Sequence, residues 1–403
     1  LDRITIGGEL RSRLDSFRFK DTVASGVEDD ADKDEIWSTR LRLNLKGEIT
    51  DDLIFHGRLS YFKLWGTSNF DETTTDMAIP SVPRSEGDIH VERAYIDYFV
   101  PRTPLSFTFG RLPTSEGPPN ELRDNTTRKA TYPRLFIDAE TDGITATVSL
   151  DKWTGLKNSA FRLRYSKIAQ NYLEDEGITW DDSANLCAAF EMEVPGLKDS
   201  LLWLGYVRIF DLPTAEAFPE MVPYTITYAP DSGGDGGIFN AHLQLNNLMG
   251  SGLDWFGSYG FISLNPASRG TEFMGLIEMG IFGDSLNGDL GENRDGTAIY
   301  TGVRYRLPVA ALKYPKIGFE YNHGSKYWLG VMSNGSGDLL NKLNVAGDAY
   351  EIYYIQPIIK DHMFCRFGGV YIDYDYYNAA PFGSLPDSDM SVTQLYLLMD
   401  VKF

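Results

Sequence analysis

Long apolar runs are missing from this sequence. No stretch reaches the roughly 18 consecutive apolar residues that a membrane-spanning helix needs, although 42% of the chain is hydrophobic. Cysteine is nearly absent. Cys187 and Cys365 lie far apart and no CxxC occurs, so neither a disulfide framework nor a cysteine zinc site is indicated. Positive charge is in deficit, and a net charge of −20 excludes a basic surface for nucleic acid. Histidine is scarce too. His56, His90, His242, His323 and His362 stand singly, with no pair at ligand spacing, and each reads as a structural polar group. GxSxG, Walker-type glycine loops and HExxH do not occur. The nearest approach to a hydrolytic relay is the stretch NHGS. On a strand His323 and Ser325 share a face while Asn322 points away, so the three cannot converge there. No cofactor, metal or enzyme activity is read from the sequence.

What the sequence has is alternation. Leu41, Leu43 and Leu45 alternate with Arg42, Asn44 and Lys46; Ile144, Ala146, Val148 and Leu150 alternate with Thr145, Thr147 and Ser149. Phe239, Ala241, Leu243 and Leu245 alternate with Asn240, His242, Gln244 and Asn246, and Glu191 and Glu193 face away from Phe190 and Met192. Strands with one apolar and one strongly polar face lie between a greasy phase and a wet one. The abundance of aromatics (13%) and of glycine (39 residues) fits strands and turns.

The alternation places strands at roughly 2–16, 36–49, 53–66, 89–100, 105–112, 143–150, 159–170, 186–194, 201–211, 237–247, 253–264, 297–306, 316–326, 348–357, 362–376 and 391–403. Short connections (TDD 50–52, PRTP 101–104, PGLKDS 195–200, LMGSG 248–252, IIKD 358–361) alternate with long polar ones such as 25–35 and 230–237. Tight turns at one end and long loops at the other are the layout of a transmembrane antiparallel β-barrel. About 16 strands satisfy that parity with both termini at the turn end, and about 18 is the alternative. Two apolar stretches break the parity when counted as spans, RLFIDA at 134–139 and FMGLIEMGIF at 273–282, and both are assigned to folded-in loops. The whole of 1–403 reads as one barrel domain, with 113–143 as a constriction loop inside it. A soluble β-protein with one wet face is the competing architecture; it would tolerate uneven loops but would need its apolar faces packed together.

The chain stops on an aromatic. Leu395, Leu397, Met399, Val401 and Phe403 share one face of the last strand, opposite Gln394, Leu398, Asp400 and Lys402. This resembles the C-terminal signal read by the bacterial outer-membrane assembly machinery. STRLRLNLKGEITDDLIFHGRLSYFKLWG (38–66), VERAYIDY (91–98), FGRLPTSEGPPNELRDN (109–125) and FEYNHGSKYW (319–328) carry a wider resemblance. They are similar to a bacterial outer-membrane family long catalogued as a domain of unknown function and presumed to be porins. The resemblance spans essentially the whole chain and implies a porin in the bacterial outer membrane, in contact with lipid and lipopolysaccharide. It also implies a periplasmic helical segment ahead of the first strand, which the sequence shown does not contain. General porins add the expectation of a homotrimer, with 273–282 either facing a partner or packed inward.

The polar row of the early strands is basic: Arg11, Arg13, Arg40, Arg42, Lys46, Arg58 and Arg93, with Arg162 and Arg164 later. At mid-depth on the lipid side each would cost about 2–4 kcal/mol, so these groups belong inside. They either form a basic pore wall that concentrates anions or pair in ladders with Glu9, Asp15, Glu92 and Asp97. The connection 113–143 follows the fifth strand, where general porins fold a loop inward. Pro113, Pro118, Pro119 and Pro133 stiffen it, and Leu135, Phe136 and Ile137 anchor it. It carries Glu116, Glu121 and Asp124 against Arg123, Arg128, Lys129 and Arg134. Acids facing wall arginines would set a transverse field, whereas Arg128 and Lys129 would favour anions; the count of bases gives a slight lean to anions. The acidic runs 28–35, 71–76, 174–176 and 284–295 are assigned to external loops, as solvated tips or as carboxylates sharing divalent cations with lipopolysaccharide. Passive diffusion of small hydrophilic solutes is the leading function. The alternatives are a sheath or docking barrel for a partner such as a multihaem cytochrome, and a barrel hydrolase.

Overall fold

The computed structural model describes residues 3–22, 28–65, 89–169, 182–211, 234–266, 294–328, 330, 338–379, 383–387 and 390–403. The strands are β1 Ile4–Thr22, β2 Glu28–Thr50, β3 Leu53–Leu64, β4 Ile89–Phe99, β5 Leu105–Leu112 and β6 Thr141–Ser149. Next come β7 Ala160–Ala169, β8 Ser183–Met192, β9 Ser200–Phe210, β10 Gly234–Leu245, β11 Leu253–Pro266 and β12 Arg294–Arg306. The chain finishes with β13 Lys316–Gly324, β14 Ala346–Ile359, β15 Met363–Ala379, the short β16 Gly383–Asp387 and β17 Ser391–Lys402. Every neighbouring pair is antiparallel. β1 bonds to both β2 and β17, so the sheet closes, and β16 pairs with β15 alone, leaving sixteen strands in the barrel. Closure leaves no open sheet edge, which is what lets strands cross a bilayer.

The outer face is the apolar row of each strand. Ile144, Leu163, Leu186, Phe239, Ile299, Ile352, Leu395 and Leu397 are all exposed large hydrophobics. Phe403 lies at the turn end, where its backbone N–H and C=O bond Gly8 at 3.0 and 2.8 Å and complete the β1–β17 seam. Its ring lies over Gly8, and a Cβ there would come within 2.6 Å of the ring and 2.7 Å of the Arg42 carbonyl, so glycine is required.

Two features differ from the sequence reading. The acidic run 28–35, expected in an external loop, belongs to β2, which pairs with β1 as far as Glu28–Thr22. The β1–β2 pairing therefore extends well beyond the span that the apolar alternation marks. The inward row is also not polar throughout. Trp203, Val207, Ile209, Phe256, Ile262 and Tyr300 form one buried cluster inside the barrel; Phe17, Phe62, Tyr353, Ile355, Ile372, Tyr396 and Leu398 form another. A barrel of this width is not filled by its own side chains. Two connections complete the packing. Residues 113–140 supply Leu122, Tyr132, Leu135, Phe136 and Ile137 to the first cluster. The connection between β13 and β14 supplies Trp328 and Leu343 to the first, and Leu339, Leu340 and Val345 to the second. The assignment of 134–139 to a folded-in loop matches this placement; 273–282 lies outside the described residues.

Candidate functional site

Residues 113–140 cross the interior as a folded segment. Its two arms lie side by side: Arg134 N–H donates to the Pro118 carbonyl at 2.8 Å, and Glu116 N–H to Asp138 Oδ1 at 2.7 Å. Gly117 allows that approach, because a Cβ there would lie 1.7 Å from the Tyr132 carbonyl oxygen. A single helical turn, α1 at Asn120–Arg123, forms the tip. Glu116 stands at φ +63°, a left-handed conformation that a non-glycine residue adopts at a cost, and it stands where the charges meet.

The segment is bound to the wall by ion pairs. Glu116 receives Arg42 Nη1 at 2.6 Å, Arg58 Nη1 at 2.5 Å and Lys129 Nζ at 3.3 Å. Arg93 Nη2 lies 3.6 Å from Glu116 and donates to the Ser115 carbonyl at 2.7 Å. Asp124 receives Arg366 at 3.0 Å and Arg11 at 3.3 Å, while Arg11 also holds Asp400 at 2.9 Å. The second infolded connection enters through Asp338. This carboxylate joins Arg13 at 2.9 Å, Arg134 at 3.1 Å and Arg123, so both infolded segments and β1 meet at one group. Arg123 also reaches Glu351 at 3.3 Å, and Lys342 bridges Glu320 and Glu351. On the far wall Arg304 Nη1 donates to the Leu122 carbonyl at 2.5 Å, and Gln244 to Glu121 at 2.9 Å.

Burial alone would raise the pKa of each of these carboxyls, and the surrounding charge decides the outcome. At Glu116 the charges of Arg42, Lys129 and Arg58 outweigh burial and hold the group well below the usual carboxylate range. Asp338 is held well below it by Arg123, Arg134 and Arg13, and Asp124 is lowered by Arg11 and Arg366. Glu121 goes the other way: burial dominates, and the Gln244 hydrogen bond does not offset it.

The arginines of the early strands are therefore buried beneath the infolded segments. Arg11, Arg13, Arg40, Arg42, Arg58 and Arg93 are each nearly enclosed and each reaches a carboxylate. Glu9, Asp15 and Glu92 take part, as the ladder alternative has it. Asp97 instead meets His56 Nε2 at 3.3 Å and the Thr108 hydroxyl at 2.6 Å. Water reaches a different part of the lumen. Lys46, His56, Asp97 and Arg162 on the wall, with Arg128 and Lys129 on the segment, are only partly buried. Near the turn end Asn44, Lys46, His56, Arg58, Arg93 and Tyr95 line a cavity of about 270 Å³. Asn322 points inward and donates to the Lys342 carbonyl, while His323 holds Asp348 on the other face, so the NHGS stretch assembles no relay. Among the described residues no cluster of His, Cys, Asp and Glu could hold a metal ion. The Asp338 connection was not anticipated, although its LLNKL stretch, like RLFIDA, puts apolar residues into a connection with no lipid face to cover.

A closed antiparallel barrel, apolar outside and charged and packed within, defines the class: a porin-like barrel of the outer-membrane type. The chain belongs to the family described as "Protein of unknown function (DUF3373)", which it matches over residues 30–401. None of the curated proteins compared with it matches in sequence. Among solved structures it is similar to Pseudomonas putida OprB, in a structure described as the high pH form. The TM-score is 0.55 at 13% identity, over 100% of this chain and 94% of that one. It also matches the outer-membrane expressed OmpT of Vibrio cholerae at TM-score 0.49 and 12% identity, over 99% of this chain and 97% of that one. A trimer form of in-vitro folded OmpT gives TM-score 0.44 at 12% identity, over the full length of both chains. At these identities the likeness concerns the fold.

Proposed function

We propose that the protein is a porin of the bacterial outer membrane, passing small hydrophilic solutes by passive diffusion along one side of its lumen. The observation that carries this reading is the uneven filling of the barrel. Apolar packing and paired charge occupy most of the cross-section, but the wall from β2 to β8 keeps Lys46, His56, Asp97 and Arg162 partly open to water opposite Arg128 and Lys129. Residues 113–143 then act as the constriction loop, with Glu116, Asp124, Arg123 and Arg134 fastening it, Lys129 part-open but paired with Glu9 and Glu116, and Arg128 left to meet the solute. Arg128 faces Glu191, which already holds Arg162 at 2.8 Å, and this supports a slight preference for anions. The apolar outer row supports a lipid setting; in this reading the terminal Leu395, Leu397, Met399, Val401 and Phe403 serve as the assembly signal, and homotrimers are the working form. The sheath alternative finds no support, because residues 113–140 and 338–345 occupy the space that an enclosed cytochrome would need.

Reconstitution into planar bilayers tests the proposal. Steady ohmic conductance is expected, with a reversal potential in a salt gradient on the anion-preferring side. A purified, folded barrel that carries no current at any voltage would refute it.

A further inference from the structure

Ten arginines among the described residues are buried, and nine of them reach a carboxylate within 4.0 Å. Arg164 is the exception. It sits on the inward row of β7, 1% exposed, and among the described residues it makes neither an ion pair nor a hydrogen bond. Its Nε and Nη1 are enclosed with no acceptor. What it does have is a ring: the guanidinium carbon lies 4.5 Å from the centre of Tyr132, on the infolded segment. Two more buried donors share this patch without an acceptor. Trp203 Nε1 belongs to a ring set edge-on to Tyr132 at 6.0 Å, and Arg162 Nη1 lies two residues along the same strand.

A guanidinium does not discharge by losing its proton. Burying one without a counter-charge is strongly unfavourable, and a single aromatic face offsets only part of that. The same barrel gives its other buried arginines acids, so the omission is local. Arg162 is already matched by Glu191 at 2.8 Å and Arg128 beside the same carboxylate is open to water, which leaves Arg164 as the one surplus buried positive charge. Around that charge stand donors without acceptors and the apolar surfaces of Tyr132, Phe136, Trp203 and Ala189. A planar, singly charged acceptor with a short apolar body satisfies all three conditions. A guanidinium fork matches a carboxylate, the rings suit a hydrocarbon tail, and a dianion would bring a charge that nothing here balances. Arg128, exposed and 3.4 Å from Glu191, gives such an anion a basic approach from the water.

We propose that Arg164 anchors a binding site for a small monocarboxylate on the inner wall, with Tyr132 as its cover and Arg162 and Trp203 as further donors. It rests on the porin reading only for the route by which the anion arrives.

The test uses the full barrel, refolded in non-ionic detergent in chloride-free buffer of fixed ionic strength, with sodium acetate as the probe and sodium phosphate as the dianion control. Acetate is expected to raise the unfolding midpoint saturably and to receive saturation transfer from the protein in proton NMR; phosphate gives less of both. Arg164→Met is expected to abolish both responses while folding at least as stably as the parent in the absence of acetate. Arg164→Lys keeps the charge but loses the fork, and should weaken the acetate response about tenfold or more. An acetate response that survives Arg164→Met, one undiminished in Arg164→Lys, or one absent from the parent overturns the site. So does an Arg164→Met barrel that folds less stably than the parent in acetate-free buffer, which would make Arg164 a structural cation. Conductance without acetate binding refutes this site alone; acetate binding without conductance refutes the pore and leaves the site standing.

Discussion

Substituting Asp338 tests whether the infolded segments are held by charge. This carboxylate lies among Arg13, Arg123 and Arg134, and it is almost wholly buried. Removing one partner of a buried ion pair costs about 3–5 kcal/mol, because the remaining charge is left without compensation. Here each arginine keeps a second acid: Arg13 has Asp15 at 2.8 Å, Arg123 has Glu351 at 3.3 Å and Arg134 has Asp138 at 3.1 Å. Asp338→Asn retains the shape and one acceptor oxygen, so its cost falls at the lower end, about 3 kcal/mol. The pH dependence follows from the sign of the shift. Asp338 titrates lower folded than unfolded, so its stabilisation is complete above the unfolded pKa of about 4 and is lost as pH falls toward the folded value. Glu116 and Asp124 act in the same direction. Glu121 is raised and acts oppositely, eroding stability as pH climbs from its unfolded value through its folded one. Urea unfolding in detergent, followed by tryptophan fluorescence at pH 7 and pH 3, should show the parent losing stability on acidification and Asp338→Asn losing less, from a lower start. A variant within about 0.5 kcal/mol of the parent, the range of surface substitutions away from special features, or one with the parent's acid sensitivity, would refute the clasp.

Other outcomes follow from the same geometry. Arg128→Gln alone should move the reversal potential toward cations without lowering the folded yield, since Arg128 is exposed and its one carboxylate, Glu191, keeps Arg162. Leu397→Arg on the outer row should cost about 2–4 kcal/mol near mid-depth and reduce folding into phosphatidylcholine vesicles.

The barrel was legible in the sequence because an apolar outer face on one side of each strand imposes a period of two. The spans 53–66, 105–112, 201–211 and 391–403 all coincide with β3, β5, β9 and β17 to within two residues. Legibility failed where that constraint lapses. The acidic run at 28–35 carries no apolar alternation and so reads as a loop, yet it pairs with β1 as part of β2. Inside, a residue such as Tyr353 or Ile372 packs against chain rather than water, and YEIYYIQ reads as apolar on both faces. The charge network was the least legible part. Arg134 and Asp338 are 204 residues apart, and no local pattern announces that they meet. The arginines could be assigned to the inner face from cost alone, but which acids meet them depends on where two connections re-enter the barrel.

Width and charge are linked in this fold. Eight strands make an interior that side chains can fill; sixteen make one that needs either water or more polypeptide. This chain uses polypeptide over most of the section, and polypeptide brings backbone polar groups into a confined space. Wall arginines meet that demand directly, as Arg93 does at the Ser115 carbonyl, Arg366 at the Arg123 carbonyl and Arg304 at the Leu122 carbonyl. Each is a long donor that reaches from a fixed strand to a loop lacking a sheet of its own. Their charge then requires carboxylates from the same loops, which Glu116, Asp124 and Asp338 supply. A basic inner wall can thus serve first to hold the segments that narrow the lumen. On the porin reading proposed above, selectivity would then fall to Arg128, the base those segments leave most open to water.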